Sequence, residues 1–328
     1  MQNSRLAHVP PGSQDLLSDD VRRRRRVQGA WFSLAEERGY EEVIPPTFEY
    51  EEVFTRGAGA ELASRLIRFL DRDGRVVALR ADFTSSIARM VATKLAAAPL
   101  PLRLCYAGKV YRQEPEGGGR RRESFQLGAE LIGDESPGAD VETLRLAIGF
   151  LRALGIREFQ INLGDIRFIL PLLAGLEPGA AERLRVAIDR KDRAALAEGT
   201  REFGAPAAVV RTLAELPELI GRGDMLLRAR SLAPGPEAQE AIERLRAVDA
   251  LLTAEEREHV VYDLGEIRGL GYYTGVQWEV FVAGVGRAVG FGGRYDHLLG
   301  LYGADRPAVG FALETDALAE LLPQGEGR

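Results

Sequence analysis

CYAGKVYRQEPEGGGRRRESFQLGAELIG, residues 105–133, decides how this chain is read. Two runs able to form strands flank a loop holding Pro115, the glycines Gly117, Gly118 and Gly119, and the arginines Arg120, Arg121 and Arg122. That is the pattern of a β-hairpin with a long basic tip. Side chains alternate between the faces of a strand, so Gln126 and Glu130 on the second arm point the same way. Tyr111 and Gln113 share one face of the first arm, and Arg112 and Glu114 share the other. Such a strand pair presents several polar groups to one cleft. Glycine admits close backbone approach and guanidinium pairs bidentately with phosphate oxygens, so the tip reads either as a phosphate cradle or as a solvated surface loop. It lacks the strand-to-helix setting of a P-loop or dinucleotide fingerprint.

Upstream, VRRRRRVQGAWFSLAEERGY is an amphipathic helical pattern ending near Gly39, and its five arginines follow Asp19 and Asp20. They suit a solvated or subunit-facing helix surface, with an anion site as the alternative. Val43 and Ile44 suit a strand that stops at Pro45 and Pro46, since proline cannot donate to a ladder. Phe69 and Leu70, an Asp73-Gly74 turn, and residues 76–79 read as a second hairpin. Asp82, Thr84 or Ser85 can then cap a helix running through Lys94. Downstream lie a helix over about 140–154, a strand in REFQINLG, and a stretch of helical periodicity over 171–258. Strands then return in HVVYDLG, GYYTGVQWEVFVAG and AVGFGGRYDHLL, and PAVGFALETDALAELL is a strand entering a terminal helix. Strands, helical block and strands predict an α+β fold with a largely antiparallel core interrupted by a helical subdomain.

Composition narrows the function. A net charge of −6 argues against a dominant nucleic-acid footprint. No apolar run reaches the roughly 20 residues of a membrane helix, the N-terminus lacks the apolar core of a secretory signal, and Cys105 is the only cysteine. A cytoplasmic protein without membrane association is expected. The three histidines, His8, His259 and His297, are scattered, so neither a metal site nor a metal cofactor is expected. Ser85, Ser86 and Ser124 have no histidine in a recognisable partner motif, which argues against covalent catalysis. Arg268 with Tyr272 and Tyr273 would place a cation and phenolic hydroxyls at one strand end, suited to a carboxylate and a small polar or aromatic ligand; a glycine-kinked strand with packed tyrosines is the alternative. Gly290, Gly292 and Gly293 let backbone approach a ligand with Tyr295 as a hydrogen-bonding wall, or make a tight turn.

Taken together and in order, these segments resemble the catalytic core of histidyl-tRNA synthetase, a class II synthetase. VPPGSQDLL resembles the family's N-terminal signature, GYEEVIPPTFEY its motif 1, YRQEPEGGGRRRESFQLGAELIG its motif 2, and AVGFAL the start of motif 3. IRGLGYYTGVQWE and GFGGRYD resemble its two histidine motifs. The resemblance implies a class II core on a mainly antiparallel sheet flanked by helices, dimerised partly through motif 1. It implies a synthetase-like first part over 1–170, a helical insertion over 171–258, and a second core part over 259–328, with no anticodon-binding domain. On matching positions, Asp82 and Thr84 would face a ligand's ammonium, although the family usually has Glu at the first. Gln126 and Arg268 would hold its carboxylate, Glu130 and Tyr272 would address an imidazole, and Tyr273 and Tyr295 would complete the pocket. Arg112, Glu114 and Arg122 would belong to the ATP site, Arg112 as the motif 2 arginine on the α-phosphate.

Two departures bear on activity. Ala317 stands where motif 3 of the synthetases has an ATP-contacting arginine, with Glu314 and Asp316 adding like-charge repulsion toward phosphate, and the chain ends soon afterwards. Loss of such a contact in a sheltered site weakens transition-state stabilisation by several kcal/mol. Ser124-Phe125 also replaces the common Phe-His. Losing ATP and tRNA functions while keeping a histidine pocket resembles the synthetase-like regulatory subunits of short-form ATP phosphoribosyltransferase. That resemblance implies no catalytic residues and no cofactor, with Arg112, Glu114 and Arg122 vestigial. It implies a homodimer within a hetero-oligomer with the catalytic subunit in histidine biosynthesis, L-histidine as feedback effector, and no tRNA partner. A truncated histidyl-tRNA synthetase or histidine-adenylating enzyme, and a stand-alone amino-acid sensor or tRNA-binding module, remain the alternatives.

Overall fold

In the computed structural model, which describes residues 8–57, 59–114, 121–204, 206–266 and 271–323, the central hairpin forms as two ten-residue strands. These are β5 (Leu102–Tyr111) and β6 (Glu123–Ile132), paired antiparallel from Leu102 opposite Ile132 to Tyr111 opposite Glu123. The basic tip at 115–120 lies outside the described residues. Upstream come α1 (Ser18–Glu37), β1 (Glu41–Glu42), β2 (Phe48–Tyr50), α2 (Glu51–Thr55), α3 (Gly59–Ser64), β3 (Arg68–Leu70), β4 (Val76–Leu79) and α4 (Phe83–Lys94). After the hairpin follow α5 (Pro137–Ala153), β7 (Phe159–Asp165), α6 (Ile166–Leu173), α7 (Pro178–Asp189), α8 (Arg193–Glu202), α9 (Ala207–Glu215), β8 (Ile220–Gly221), α10 (Met225–Arg230), α11 (Pro236–Leu251) and α12 (Ala254–Arg257). The chain closes with β9 (Val260–Asp263), β10 (Val276–Val282), β11 (Ala288–Arg294), β12 (Ala308–Glu314) and α13 (Thr315–Leu321).

Nine strands form one sheet in the order β1-β5-β6-β12-β11-β10-β7-β9-β8, and β2-β4-β3 form a smaller one. Only the β1–β5 and β7–β9 pairs are parallel among the described strands, so the expected mainly antiparallel α+β core is present. Strand alternation divides the core in two. Cys105, Leu127 and Ala129 turn to the cluster under α1 and α5, where Trp31 meets Phe150 and Phe311 edge-on. Leu104, Tyr106, Val110 and Ile132 turn to the opposite cluster with Phe83 and Tyr295. Trp31 also donates its indole N–H to the Tyr106 carbonyl at 3.1 Å, tying α1 to the hairpin.

Three local features differ from the sequence reading. The strand before Pro45 falls at Glu41–Glu42 rather than at Val43 and Ile44. The helical run starts at Ile166, capped by Asp165, and its middle contributes β8 to the sheet edge. Its apolar residues, including Leu184, Leu196 and Leu245, join the same cluster as Leu163 and Trp278. A period-3.6 reading merges a two-residue strand with the helices on either side of it. The five arginines also separate: Arg22 and Arg23 pair with Asp19 and Asp20 on their own helix, whereas Arg24 turns inward to Asp316.

Candidate functional site

The β6 register builds the site. Gly108 faces Gln126, Tyr106 faces Gly128 and Leu104 faces Glu130, so Gln126 and Glu130 share the sheet face that carries α4 and the tyrosines. Alternation past Val110, opposite Ser124, puts Arg112 on that same face and Tyr111 on the other. This face floors a cavity of about 1100 Å³ bordered by Asp82, Thr84, Arg112, Gln126, Tyr272 and Tyr273, with Tyr295 at its wall.

Glu130 lies behind the cavity wall formed by Thr84, Tyr295 and Gly310, with no exposure to solvent. Thr84 Oγ1 donates to its Oε1 at 2.8 Å, and the Tyr295 hydroxyl donates to its Oε2. Burial raises its carboxyl to about 8, against the opposing effect of these two hydroxyls. Burial also pushes the Tyr295, Tyr272 and Tyr106 hydroxyls well above the usual tyrosine range, so they remain hydrogen-bond donors. Tyr272 stands edge-on to Tyr273 at 5.1 Å and to Tyr295 at 5.6 Å. A buried acceptor inside an aromatic wall suits a small planar group carrying N–H donors.

Asp82 serves the protein as well as the cleft. It caps α4, with Oδ1 accepting from the Thr84 N–H at 3.2 Å and Oδ2 from the Ser85 N–H and hydroxyl at 2.9 and 2.8 Å. The cap fixes Thr84 against Glu130 and leaves a carboxylate on the cavity wall. Gln126 is buried and borders the cavity. Gly310, opposite Glu130 on β12, is required by close approach: a Cβ there would lie 1.6 Å from Glu130 Oε2 and 2.6 Å from the Ala129 carbonyl oxygen. The glycine in AVGFAL therefore clears the space its neighbouring carboxylate occupies.

The remaining expected residues divide. Arg112 lines the cleft and anchors Nε on the Ala81 carbonyl at 2.9 Å, and Glu114 pairs with Arg65. Arg122 does not line the cavity; it packs against Gly12, while its neighbour Arg121 does border the cavity. Arg268 lies outside the described residues. Ala317, at the motif 3 position, is buried on α13 at the cavity edge. Glu314 and Asp316 are not bare charges: Glu314 pairs with Arg287 at 2.5 Å and Asp316 with Arg24 at 2.6 Å. Arg294 of GFGGRYD does not border the cavity. It binds Asp140 through Nε and Nη2 at 2.9 and 2.7 Å, and Asp140 also takes Arg244 of α11 at 2.6 Å. This buried triad ties the helical segment to the strand that delivers Tyr295.

Sequence reasoning passed over Glu279, which is buried and borders the cavity. Its signal was present, because Gln277 and Glu279 recur at period two within an otherwise apolar strand. Cys105 is buried in β5, its thiol pushed up to about 12 by desolvation, which makes it an inert core residue. Among the described residues no group of three or more His, Cys, Asp or Glu side chains could hold a metal ion, and no helix is long and apolar enough to cross a membrane.

Comparison with known proteins agrees with this architecture. Residues 12–318 match the histidyl-tRNA synthetase family model. The ATP phosphoribosyltransferase regulatory subunit of Syntrophotalea carbinolica is 40% identical over 310 residues, covering 93% of this chain and 72% of the relative. That of Geobacter sulfurreducens is 39% identical, covering 96% and 73%. A Bacillus halodurans crystal structure described as an ATP phosphoribosyltransferase regulatory subunit/histidyl-tRNA synthetase superposes with a TM-score of 0.87 at 30% identity, over 96% of this chain and 83% of that one. Histidyl-tRNA synthetase from Nostoc, at 19% identity and a TM-score of 0.77 over 96% of this chain and 75% of that one, shares the fold. On the fold, the motif order and these relatives, the chain belongs to the ATP phosphoribosyltransferase regulatory subunit family, built on the class II histidyl-tRNA synthetase core.

Proposed function

We propose that the cleft binds free L-histidine and that the chain, without catalysing a reaction itself, makes a short-form ATP phosphoribosyltransferase catalytic subunit active and sensitive to histidine. The observation that carries this reading is Glu130. A fully buried glutamate held by Thr84 and Tyr295 between tyrosine walls is costly to ionise, and a ligand N–H that meets it offsets that cost. Gln126 and Arg268 would take the ligand's carboxylate, and Asp82 with Thr84 its ammonium. Histidine alters activity only by binding one conformation of the complex better than another, and the Arg294–Asp140–Arg244 triad joins the pocket wall to the helical segment.

Arg112, Glu114 and Arg122 are assigned to a vestigial nucleotide site, and 1–170, 171–258 and 259–328 to core, insertion and core. A homodimer is supported by an apolar surface on and beside the small sheet: Ile44, Phe48 and Leu70 are 81, 53 and 68% exposed. A cytoplasmic chain working with no tRNA completes the reading. Isothermal titration of histidine into the purified chain tests the pocket: saturable one-site binding is expected, and absence of binding at millimolar histidine defeats it. The adenylating alternative draws on Arg112, which still reaches the cleft. It requires histidine-dependent ATP–pyrophosphate exchange by the chain alone.

A further inference from the structure

The far end of the cleft is bordered by the protein's own paired charges, Arg121, Asp316 and Glu320. Asp316 Oδ1 accepts from Arg24 Nε and Nη2 at 3.0 and 2.6 Å. Its Oδ2 accepts from the Phe125 N–H at 3.3 Å and lies 3.6 Å from Arg121 Nη1. Arg121 Nη2 in turn donates to Glu320 at 2.9 Å. The Arg24 guanidinium sits 5.0 Å from the centre of the Phe125 ring, covering the aromatic surface beside the cleft. Arg24 and Asp316 are only 17 and 13% exposed, so water screens this pair weakly, whereas Glu320 at the outer end is exposed.

These contacts link three segments far apart in sequence: α1, the second arm of the hairpin and α13. One carboxylate occupies two guanidinium groups, and one guanidinium occupies the aromatic ring. Arginine, arginine and an aromatic face are the groups that would otherwise receive a polyphosphate and a planar base. We propose that Asp316, with Arg24 and Arg121, forms an internal charge plug on the cleft wall: by occupying both guanidinium groups it disfavours nucleoside triphosphates, although the cleft itself stays open. The exclusion therefore rests on these contacts as well as on the absence of a cation at Ala317. This inference rests on the cleft being an amino-acid site, but its test is independent: histidine titration probes the pocket around Glu130, and polyphosphate titration probes the plug.

The test is calorimetric titration of ATP and of inorganic triphosphate into the full chain and three variants. The wild type should bind neither below about millimolar concentration. Asp316→Asn keeps an oxygen for the Phe125 N–H but frees both arginines from a carboxylate, and should bind triphosphate at least tenfold more tightly than the wild type. Glu320→Gln, at an exposed position, should give a smaller gain of the same sign and keeps the test intact if Asp316→Asn fails to fold. Arg24→Ala should give no gain in triphosphate affinity, because Asp316 stays charged. Submillimolar ATP binding by the wild type, or no gain in a folded Asp316→Asn or Glu320→Gln protein, overturns the proposal.

Discussion

Replacing Glu130 by glutamine should weaken histidine binding by an amount that grows with pH. The side chain keeps its shape and an acceptor oxygen for Thr84 or Tyr295, so the change is chiefly one of charge. A hydrogen bond from a ligand N–H to an ionised carboxylate contributes about 1.5–3 kcal/mol. With the Glu130 carboxyl raised to about 8, roughly a tenth of the ligand-free protein is ionised at pH 7. Binding in the ionised form must then displace a proton, at a cost of about 1.4 kcal/mol for one unit below the pKa. At pH 7 the wild type keeps about 1 kcal/mol of the advantage, roughly a fivefold difference in Kd from Glu130→Gln. At pH 8.5 nearly the whole advantage returns, and the difference grows to roughly fiftyfold. Calorimetry at both pH values reads the ratio directly, and the wild type should release close to one proton per histidine bound at pH 7. A mutant-to-wild-type ratio that stays constant between the two pH values, or equal affinities, would refute the role assigned to this carboxylate.

Further outcomes follow from the same geometry. The unfolded chain loses the Glu130 proton near 4.5 and the folded chain holds it to about 8, so this group makes ligand-free stability decline as pH rises between those values. Urea denaturation at pH 5.5 and 8 should show a smaller decline for Glu130→Gln. Gly310→Ala places a methyl carbon where Glu130 Oε2 and a β6 carbonyl already sit, and should cost about 2 kcal/mol or more in the same assay while abolishing histidine binding; a loss under about 0.5 kcal/mol would show that the strands separate easily. Arg294→Ala leaves Asp140 with Arg244 alone and should destabilise by about 3 kcal/mol, the size expected for breaking a buried pair; a near-neutral effect would mean that Arg244 compensates fully. The double change Ile44→Asp and Phe48→Asp should convert a dimer to a monomer in light scattering, and an unchanged mass would place the dimer contact elsewhere.

The hairpin was legible because its information is local. Period-two alternation specifies the faces of β5 and β6, and the short polar side chains after β4 predicted the α4 cap that Asp82 provides. The tyrosines and Glu130 could be named from sequence, but only the family resemblance, and no local pattern, put them in one pocket. Their meeting depends on β6 pairing with β12 and β12 with β11, which brings Tyr295 to a carboxylate 165 residues away. Roles set by distant partners were the least legible. Arg294 stands in a motif that reads as ligand-facing, yet its partner Asp140 lies 154 residues upstream and takes it into the core. Asp316 reads as a repelling acid until α1 brings Arg24 to it across 292 positions. In both cases charge type was visible, but whether that charge was already satisfied was a property of the fold.

If this chain confers histidine sensitivity on a separate catalytic subunit, the effect must appear in that subunit's own turnover. The most direct measurement is phosphoribosyl transfer by the short-form catalytic subunit from the same genome, assayed with and without this chain across a histidine titration. Activity should depend on the chain and fall as histidine rises, with Glu130→Gln shifting the midpoint to higher histidine. Equal activity and equal histidine response in the presence and absence of the chain would contradict that role.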